Sequence, residues 1–200
     1  MIRPTIGMHR LKPRREHIRI LIGALTAILV VVAGLFYGTL ILFQNDYLGI
    51  MKNLNSSETK AYMRDRMKET YNFTGLLNWT GRNLNWSKES FTRYTRPQEI
   101  LNQGKGRCGE FTIVYVAACL ALGYEARIVV PGQFCVIFLH GFHAWAEVKL
   151  NGIWTHVDPS PTPFWNDTSR YKSWNWGLRI GLSFSAFEDG KIEDVTSRYA

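Results

Sequence analysis

The chain has 200 residues, 46% hydrophobic and 14% aromatic, which is enough for one domain with a real core and excludes a disordered chain. Of its net charge of +8, five charges come from residues 1–19, which hold six cationic residues and one acidic residue, so the remainder is nearly balanced. No basic helix or arginine-rich strand stands out in the globular part, and we therefore expect no nucleic acid partner.

The first predicted element is a membrane anchor. Residues 20–43 contain no charge over 24 positions, and a bilayer core needs about 20 helical residues. A cleaved signal peptide is the alternative, but its apolar region is usually about 7–15 residues. We predict a single transmembrane helix in contact with membrane lipid. The positive-inside rule then places the basic tail, residues 1–19, in the cytosol and residues 44–200 outside.

The next segments are polar and then helical. Residues 44–56 are rich in Asn and Ser and are predicted to be a linker, followed by a folded domain over 57–200. Ser57 is predicted to cap a helix that continues to about Tyr71, and residues 72–95 are predicted to be loop.

Two further helices precede a set of strands. Pro97 suits the first turn of a short helix that stops at Gly104, and a longer apolar helix starts at about Cys108 and is closed by Gly123. Strands are then predicted at 126–130, 134–139, 143–150, 153–158, 179–187 and 191–195. The dipeptides Asn-Gly at 151–152 and Asp-Gly at 189–190 are hairpin signals. Helices first and antiparallel strands afterwards indicate an α+β fold, with the helix of Cys108 packed on the sheet.

Cys108 is the candidate nucleophile. It stands where the long helix should begin, and unpaired N–H groups and the helix dipole favour a thiolate there. A two-residue turn at 151–152 puts Trp145 opposite Asp158 and His143 diagonal to Asp158 on the same face. Cys108, His143 and Asp158 would then complete the nucleophile, base and carboxylate of an acyl-transfer site.

Other assignments of these residues are less favourable. His156 shares the face but lies toward the turn, and His140 is predicted to be in a loop, so His143 is preferred as the base. No metal site and no cofactor are predicted, because the cysteines are dispersed and no His-x-x-x-His pair occurs. Cys119 and Cys135 are either buried apolar residues or a disulfide.

Several stretches resemble the transglutaminase-like, papain-like core, and most of all that of the peptide:N-glycanases. They are GRCGEF at 106–111, ALGYEAR at 121–127, HAWAEV at 143–148 and WTHVDP at 154–159, with supporting likeness in TRYTRP at 92–97, WGL at 176–178 and DVTSRY at 194–199. The paired Cys-x-x-Cys zinc module of the eukaryotic enzymes is absent from this sequence. Residues 133–142 resemble an insertion.

The resemblance implies a triad of Cys108, His143 and Asp158 that hydrolyses the amide between a glycan and an asparagine side chain of a glycoprotein or peptide. It also implies that Trp145 and Trp154 line the cleft, and we place Glu147, on the same face, with them as substrate-binding residues. An oxyanion donor is expected from the Cys108 N–H, with Trp79 or Trp86 as the side-chain candidates.

Three other functions remain open at this point: a cysteine protease, a transglutaminase and a membrane-tethered binding module without turnover. Asn-x-Ser/Thr sequons give mild support for export; they begin at Asn55, Asn72, Asn78, Asn85 and Asn166.

Overall fold

A computed structural model describes residues 15–68, 72–87, 96–132, 143–161, 182–186, 189 and 191–199. The chain forms two compact units, Met1–Leu40 and Ile41–Ala200. The expected strand at 134–139, His140 and Cys135 lie outside the described residues. The elements that carry the candidate site all belong to the second unit.

Helix α1 spans Arg15–Leu54. Its segment Arg15–Leu35 has a mean hydropathy of 2.5 and no buried residue. At about 1.5 Å per residue, 21 residues extend about 30 Å, which matches the hydrocarbon core of a bilayer. By length and composition this segment is a candidate signal anchor or membrane span.

The segment predicted as a polar linker, residues 44–56, is helical as far as Leu54. Its apolar side chains follow helical spacing, and Met51 and Leu54 are fully buried. Asn53, one turn before Ser57, lies within 3.4 Å of the Thr59 hydroxyl, which donates to its side-chain oxygen. The linker prediction was wrong because burial of this apolar stripe outweighs the low helix propensity of the asparagines.

Two short helices follow. Helix α2 spans Ser57–Arg66 and is capped at its N-terminus by Ser56, whose hydroxyl accepts the Thr59 N–H. It ends at Arg66, before the expected Tyr71. Helix α3 spans Phe73–Asn83, where the sequence predicts loop. The Asn72 side chain accepts the Gly75 N–H at 2.7 Å and so supplies an N-cap signal that the loop prediction overlooked.

The central helix is α5. A two-residue strand β1, Asn85–Trp86, pairs in parallel with β2, Lys105–Gly106, and α4, Pro97–Gln103, lies between them in the chain. Helix α5 spans Cys108–Ala121, and every residue from Glu110 onward is buried. It contacts α2, α3 and α4 as well as two strands of the main sheet, Ala126–Gly132 and Trp145–Leu150. The core therefore surrounds the helix that begins at Cys108.

The main sheet has five strands in the order β5-β4-β3-β6-β7, and every neighbouring pair is antiparallel. The strands are β3 Ala126–Gly132, β4 Trp145–Leu150, β5 Ile153–Val157, β6 Leu182–Ala186 and β7 Ile192–Asp194. A short helix α6, Thr196–Tyr199, follows the last strand. The prediction of helices first and an antiparallel sheet afterwards is confirmed for the described residues.

The hairpin of β4 and β5 has the predicted register. Leu150 pairs with Ile153 and Ala146 with Val157. Asn151 and Gly152 both have positive φ, 51° and 82°, which is the signature of a type I′ turn. Ile153 is 71% exposed, because it lies next to the turn at the end of the edge strand.

Candidate active site

Cys108 is the first residue of α5 and is half-buried. The helix start is closed by Glu110, whose carboxylate oxygen Oε2 accepts the Arg107 N–H at 2.9 Å. This satisfies one backbone donor, while the first-turn N–H groups still point toward the Cys108 end of the helix. A sulfur there lies at the positive end of the helix dipole.

The backbone before Cys108 approaches α5 closely. A Cβ added to Gly106 would lie 2.5 Å from the Cβ of Glu110, which is closer than real side chains allow. Glycine at this position therefore lets the Glu110 side chain fold back over the helix start. A larger side chain at position 106 would overlap Glu110, so this glycine is a packing constraint.

His143 and Asp158 form a buried pair. His143 Nε2 lies 2.6 Å from Asp158 Oδ2, and the two residues are 5% and 1% exposed. The other carboxylate oxygen, Oδ1, accepts both the Ser160 N–H at 2.9 Å and the Ser160 hydroxyl at 2.6 Å. Both oxygens of Asp158 are thus held by donors, and the carboxylate is fixed in direction.

The pKa values of this pair move in opposite directions. Burial by itself lowers the pKa of His143, but the hydrogen bonds to Asp158 and to the Cys108 sulfur, with the negative charges of the ionised groups, outweigh it and raise the pKa to about 9. Burial by itself raises the pKa of Asp158, but the hydrogen bond and charge of His143 and the bonds from Ser160 bring it below its ordinary value. The arrangement therefore favours an imidazolium next to a carboxylate.

His156 lies on the same face of the sheet in a different environment. Burial lowers its pKa to about 4, although the charges of Asp158 and Glu147 act in the other direction. Its ring packs 5.9 Å from Trp145 and 5.8 Å from Tyr199. At neutral pH His156 is a neutral, packed side chain.

Trp145 lies on the same face of the hairpin as His143, and other side chains bury it there. This side chain is 2% exposed and packs with Val129, Val195 and Tyr199. Its ring stacks 6.0 Å from that of His143. The residue expected to line the cleft is therefore placed in the interior, where it supports the His143 ring from behind.

Glu147 is also 2% exposed. Its carboxylate accepts from Arg127 Nε at 2.6 Å, from the Tyr199 hydroxyl at 2.7 Å and from Arg198 Nη1 at 3.1 Å. Arg127 in turn pairs with Glu193 of β7. A carboxylate engaged by three donors stabilises the interior of the sheet, which differs from the substrate contact that the sequence predicts.

The other three tryptophans that the sequence nominates for the site are placed differently from one another. Trp154 is half-buried, with the Arg127 guanidinium 4.0 Å from the centre of its ring. Trp86 is 39% exposed, and its backbone pairs with Gly106, two residues before Cys108. Trp79 is 8% exposed within α3. Of the two oxyanion candidates, the structure brings Trp86 to the Cys108 end of α5.

The sequence did not predict the hydrogen bonds that Ser160 makes to Asp158 or those that Thr112 makes to backbone carbonyls. An Asp followed two residues later by Ser is a known side-chain turn pattern and would have indicated the Ser160 bonds. Thr112 is a polar residue one turn after Cys108 in an otherwise apolar helix, which is a weaker signal. Among the described residues, no group of three His, Cys, Asp or Glu side chains is placed to hold a metal ion.

Comparison with known proteins gives matches over this same region. Residues 57–159 match the sequence profile of the transglutaminase-like superfamily. The peptide-N(4)-(N-acetyl-beta-glucosaminyl)asparagine amidase of Oryza sativa subsp. japonica is 35% identical over 112 residues, which are 55% of this chain and 23% of the relative. The Mus musculus protein of the same name is 26% identical over 167 residues, 79% of this chain and 24% of the relative. The chain spans about a quarter of the length of these relatives.

Among solved structures, the chain resembles one from Rad4–Rad23 crosslinked to an undamaged DNA, with a TM-score of 0.58. The sequence identity is 15%, and the match covers 82% of this chain and 48% of the other. At this identity the likeness shows a shared fold.

Gly106→Ala should destabilise the protein by about 1–3 kcal/mol, because the added methyl group overlaps Glu110 at the start of α5. Gly109→Ala is the matched control, since a Cβ there meets no atom within 4 Å and alanine favours the helix by about 0.5–1 kcal/mol. Thermal unfolding of both variants measures the difference. Equal melting temperatures for Gly106→Ala and the wild type would contradict the packing constraint.

His143 should titrate with a pKa of about 9 in the folded protein, against an ordinary value of 6.5. The stability that its protonated form contributes is then complete below pH 6.5 and is lost as the pH rises through about 9. In Asp158→Asn the burial remains and the carboxylate charge is gone, so the pKa of His143 should fall. NMR titration of the imidazole signals tests this, with His156 as the internal reference. A wild-type His143 that titrates at its ordinary value would be inconsistent with the ion pair.

Proposed function

Because the chain belongs to the transglutaminase-like superfamily, we propose that it is a cysteine-dependent amidase with Cys108, His143 and Asp158 as its catalytic triad. The observation that carries the proposal is the buried 2.6 Å hydrogen bond from His143 to Asp158, together with the contact of His143 with the Cys108 thiol. A nucleophile, a base and a carboxylate that orients the base are the groups that acyl transfer requires.

The proposed substrate is an N-glycosylated asparagine in a glycoprotein or glycopeptide. The relatives at 26% and 35% identity are named for the amide between N-acetylglucosamine and asparagine. Hydrolysis of this amide leaves aspartate in the peptide and a glycosylamine as the leaving group. The superfamily match, residues 57–159, covers all three triad residues, and this supports transfer of the chemistry to this protein.

In the first half of the reaction, the Cys108 sulfur attacks the side-chain carbonyl carbon of the asparagine. Since Nε2 of His143 is bonded to Asp158, the other ring nitrogen, Nδ1, exchanges the proton with Cys108. The imidazolium gives this proton to the departing nitrogen as the C–N bond breaks. The peptide remains attached to Cys108 as a thioester, and the glycosylamine leaves.

In the second half, His143 takes a proton from a water molecule, and the resulting hydroxide attacks the thioester carbonyl. The carbon–sulfur bond breaks, which returns Cys108 as a thiolate beside the imidazolium. The product forms as a carboxylic acid and releases its proton to the solvent to give aspartate. Asp158 stays ionised throughout, because the pKa of this carboxyl lies below its ordinary value, and it stabilises each imidazolium that forms.

The negative charge of each tetrahedral intermediate requires N–H donors. The backbone N–H of Cys108, at the first position of α5, is one proposed donor. We assign the second to the Trp86 indole in preference to Trp79. Trp86 is 39% exposed and its backbone is paired beside Gly106, whereas Trp79 is buried within α3.

We assign Trp145 and Glu147 to support of the site rather than to substrate contact. Both residues are 2% exposed. The Trp145 ring stacks on His143, and the Glu147 carboxylate accepts hydrogen bonds from Arg127 and Tyr199. Trp154, which is half-buried, remains the proposed aromatic contact for the sugar.

We further propose that residues 20–43 anchor the enzyme in a membrane, with residues 1–19 in the cytosol and the catalytic domain outside. The apolar part of α1 and the cationic residues before it support this orientation. Protease added to sealed right-side-out vesicles should remove a C-terminal tag and leave an N-terminal tag intact until detergent is added. Digestion of the N-terminal tag alone would indicate the opposite topology, with the catalytic domain in the cytosol.

A denatured glycopeptide incubated with the wild type should release free glycan and convert the glycosylated Asn to Asp, as followed by mass spectrometry. Cys108→Ala should reduce the rate by at least about 1,000-fold, since removal of a triad nucleophile leaves only binding and oxyanion stabilisation. Cys119→Ala is the control, because Cys119 is a fully buried thiol whose pKa burial raises to about 12.

The other outcomes identify other functions of the same scaffold. Cleavage of the peptide backbone would indicate a protease, and incorporation of an added amine would indicate a transglutaminase. Binding of the glycopeptide with no product from either the wild type or Cys108→Ala would indicate a binding module and would contradict the proposal.

A further inference from the structure

Thr112 lies one helical turn after Cys108, and its side chain is fully buried in the core. Its hydroxyl is 2.7 Å from the carbonyl oxygen of Cys108 and 3.0 Å from that of Ala144. A threonine hydroxyl has one proton to donate, so this proton is shared between two backbone segments that are far apart in sequence. The hydroxyl therefore joins the start of α5 to the residue that immediately follows His143.

The two carbonyls flank the proposed reacting groups. One belongs to Cys108 itself, and the other belongs to the peptide next to His143, just before β4 begins. Both segments are ends of elements, where backbone order is weakest. The separation of sulfur and imidazole depends on how these two ends sit against each other, and a bond between them limits that movement.

Apolar packing alone does not set this alignment. Helix α5 contacts β3 and β4, and the buried residues of these elements are mostly apolar, among them Phe111 in α5 and Val148 in β4. Burial of apolar surface is not directional, whereas a hydrogen bond weakens steeply when its length or angle changes. Valine has the same shape as threonine and would bury more apolar surface, so the hydroxyl is the group that needs an explanation.

Thr80 provides an internal comparison. It is also fully buried, and its hydroxyl donates to the carbonyl four residues earlier, that of Leu76, at 2.9 Å. That bond stays within one turn of α3. The hydroxyl of Thr112 makes the same local bond to Cys108 and in addition reaches a second element through Ala144.

We infer that Thr112 is a positioning residue that holds the Cys108 end of α5 at a fixed distance from His143. The inference rests on the proposed function only in that Cys108 and His143 are the reacting pair. Thr112 touches neither the substrate nor the reacting atoms and acts through the two backbone segments that it joins.

The test is the rate at which iodoacetamide alkylates Cys108, measured by mass spectrometry of the full chain over a range of pH. Thr112→Val should lower the rate near neutral pH by about 10-fold to 100-fold, the cost of misplacing reacting groups by about 1 Å, and should flatten its pH dependence. Thr112→Ser keeps the hydroxyl and should restore both the rate and the pH profile. Thr80→Val removes an equally buried hydroxyl, and in this variant Cys108 should be alkylated at the wild-type rate.

A wild-type rate for Thr112→Val, or an equal loss for Thr80→Val, would overturn the inference. If Thr112→Val fails to fold, Thr112→Ser and Thr112→Ala replace it, and equal rates for these two would likewise overturn the inference. Failure of both Thr112→Val and Thr112→Ala to fold would assign the hydroxyl to folding instead.

Alkylation needs no substrate, so the two proposals fail separately. Slow alkylation of Thr112→Val in a protein that does not hydrolyse glycopeptide would leave the inference standing and remove the proposed function. If Thr112→Val hydrolyses glycopeptide through Cys108 at an unchanged rate, the proposed function stands and the inference about Thr112 fails.

Discussion

A buried hydrogen bond of 2.6 Å between His143 and Asp158 is the constraint on which the site depends. An isolated imidazolium or carboxylate would lose its charge in such a place, because burial penalises the ionised form of each. Next to each other both charges are stabilised, and the pKa of His143 rises to about 9 while that of Asp158 falls. Ser160 occupies the second carboxylate oxygen, so Asp158 cannot turn away. The imidazole is consequently held with one nitrogen on Asp158 and its thiol contact on Cys108.

This pair is placed by the register of a hairpin and by what covers it. The turn at Asn151 and Gly152 fixes which residues of β4 and β5 face each other, so a shift of one residue would send Asp158 to the opposite face. Behind the pair, Trp145 packs on His143, and Glu147 accepts hydrogen bonds from three residues in two other parts of the chain, Arg127 in β3 and Arg198 and Tyr199 in α6. The polar side chains of this face form an interior network, which keeps the sheet rigid beneath the site.

Local signals predicted most of this architecture. The hairpin register, the start of α5 at Cys108 and the neighbourhood of His143 and Asp158 follow from turn chemistry and strand alternation within short stretches. The errors concern distant partners. The sequence predicts Glu147 as a substrate contact because the residues that bury it, Arg198 and Tyr199, lie about 50 positions away in α6. Likewise, residues 44–54 are polar on average, and the burial of Met51 and Leu54 shows that their few apolar side chains form one packed face of a helix.

The most direct test is the relative reactivity of the cysteines. At neutral pH, iodoacetamide should modify Cys108 of the wild-type protein far faster than Cys119, because Cys119 is fully buried and Cys108 has an imidazolium partner. His143→Gln and Asp158→Asn should each lower the Cys108 rate by about 10-fold or more, as expected when a base or the group that orients it is lost. If Cys108 reacts no faster than Cys119, or reacts at the same rate in all three proteins, the three residues do not act as one catalytic unit.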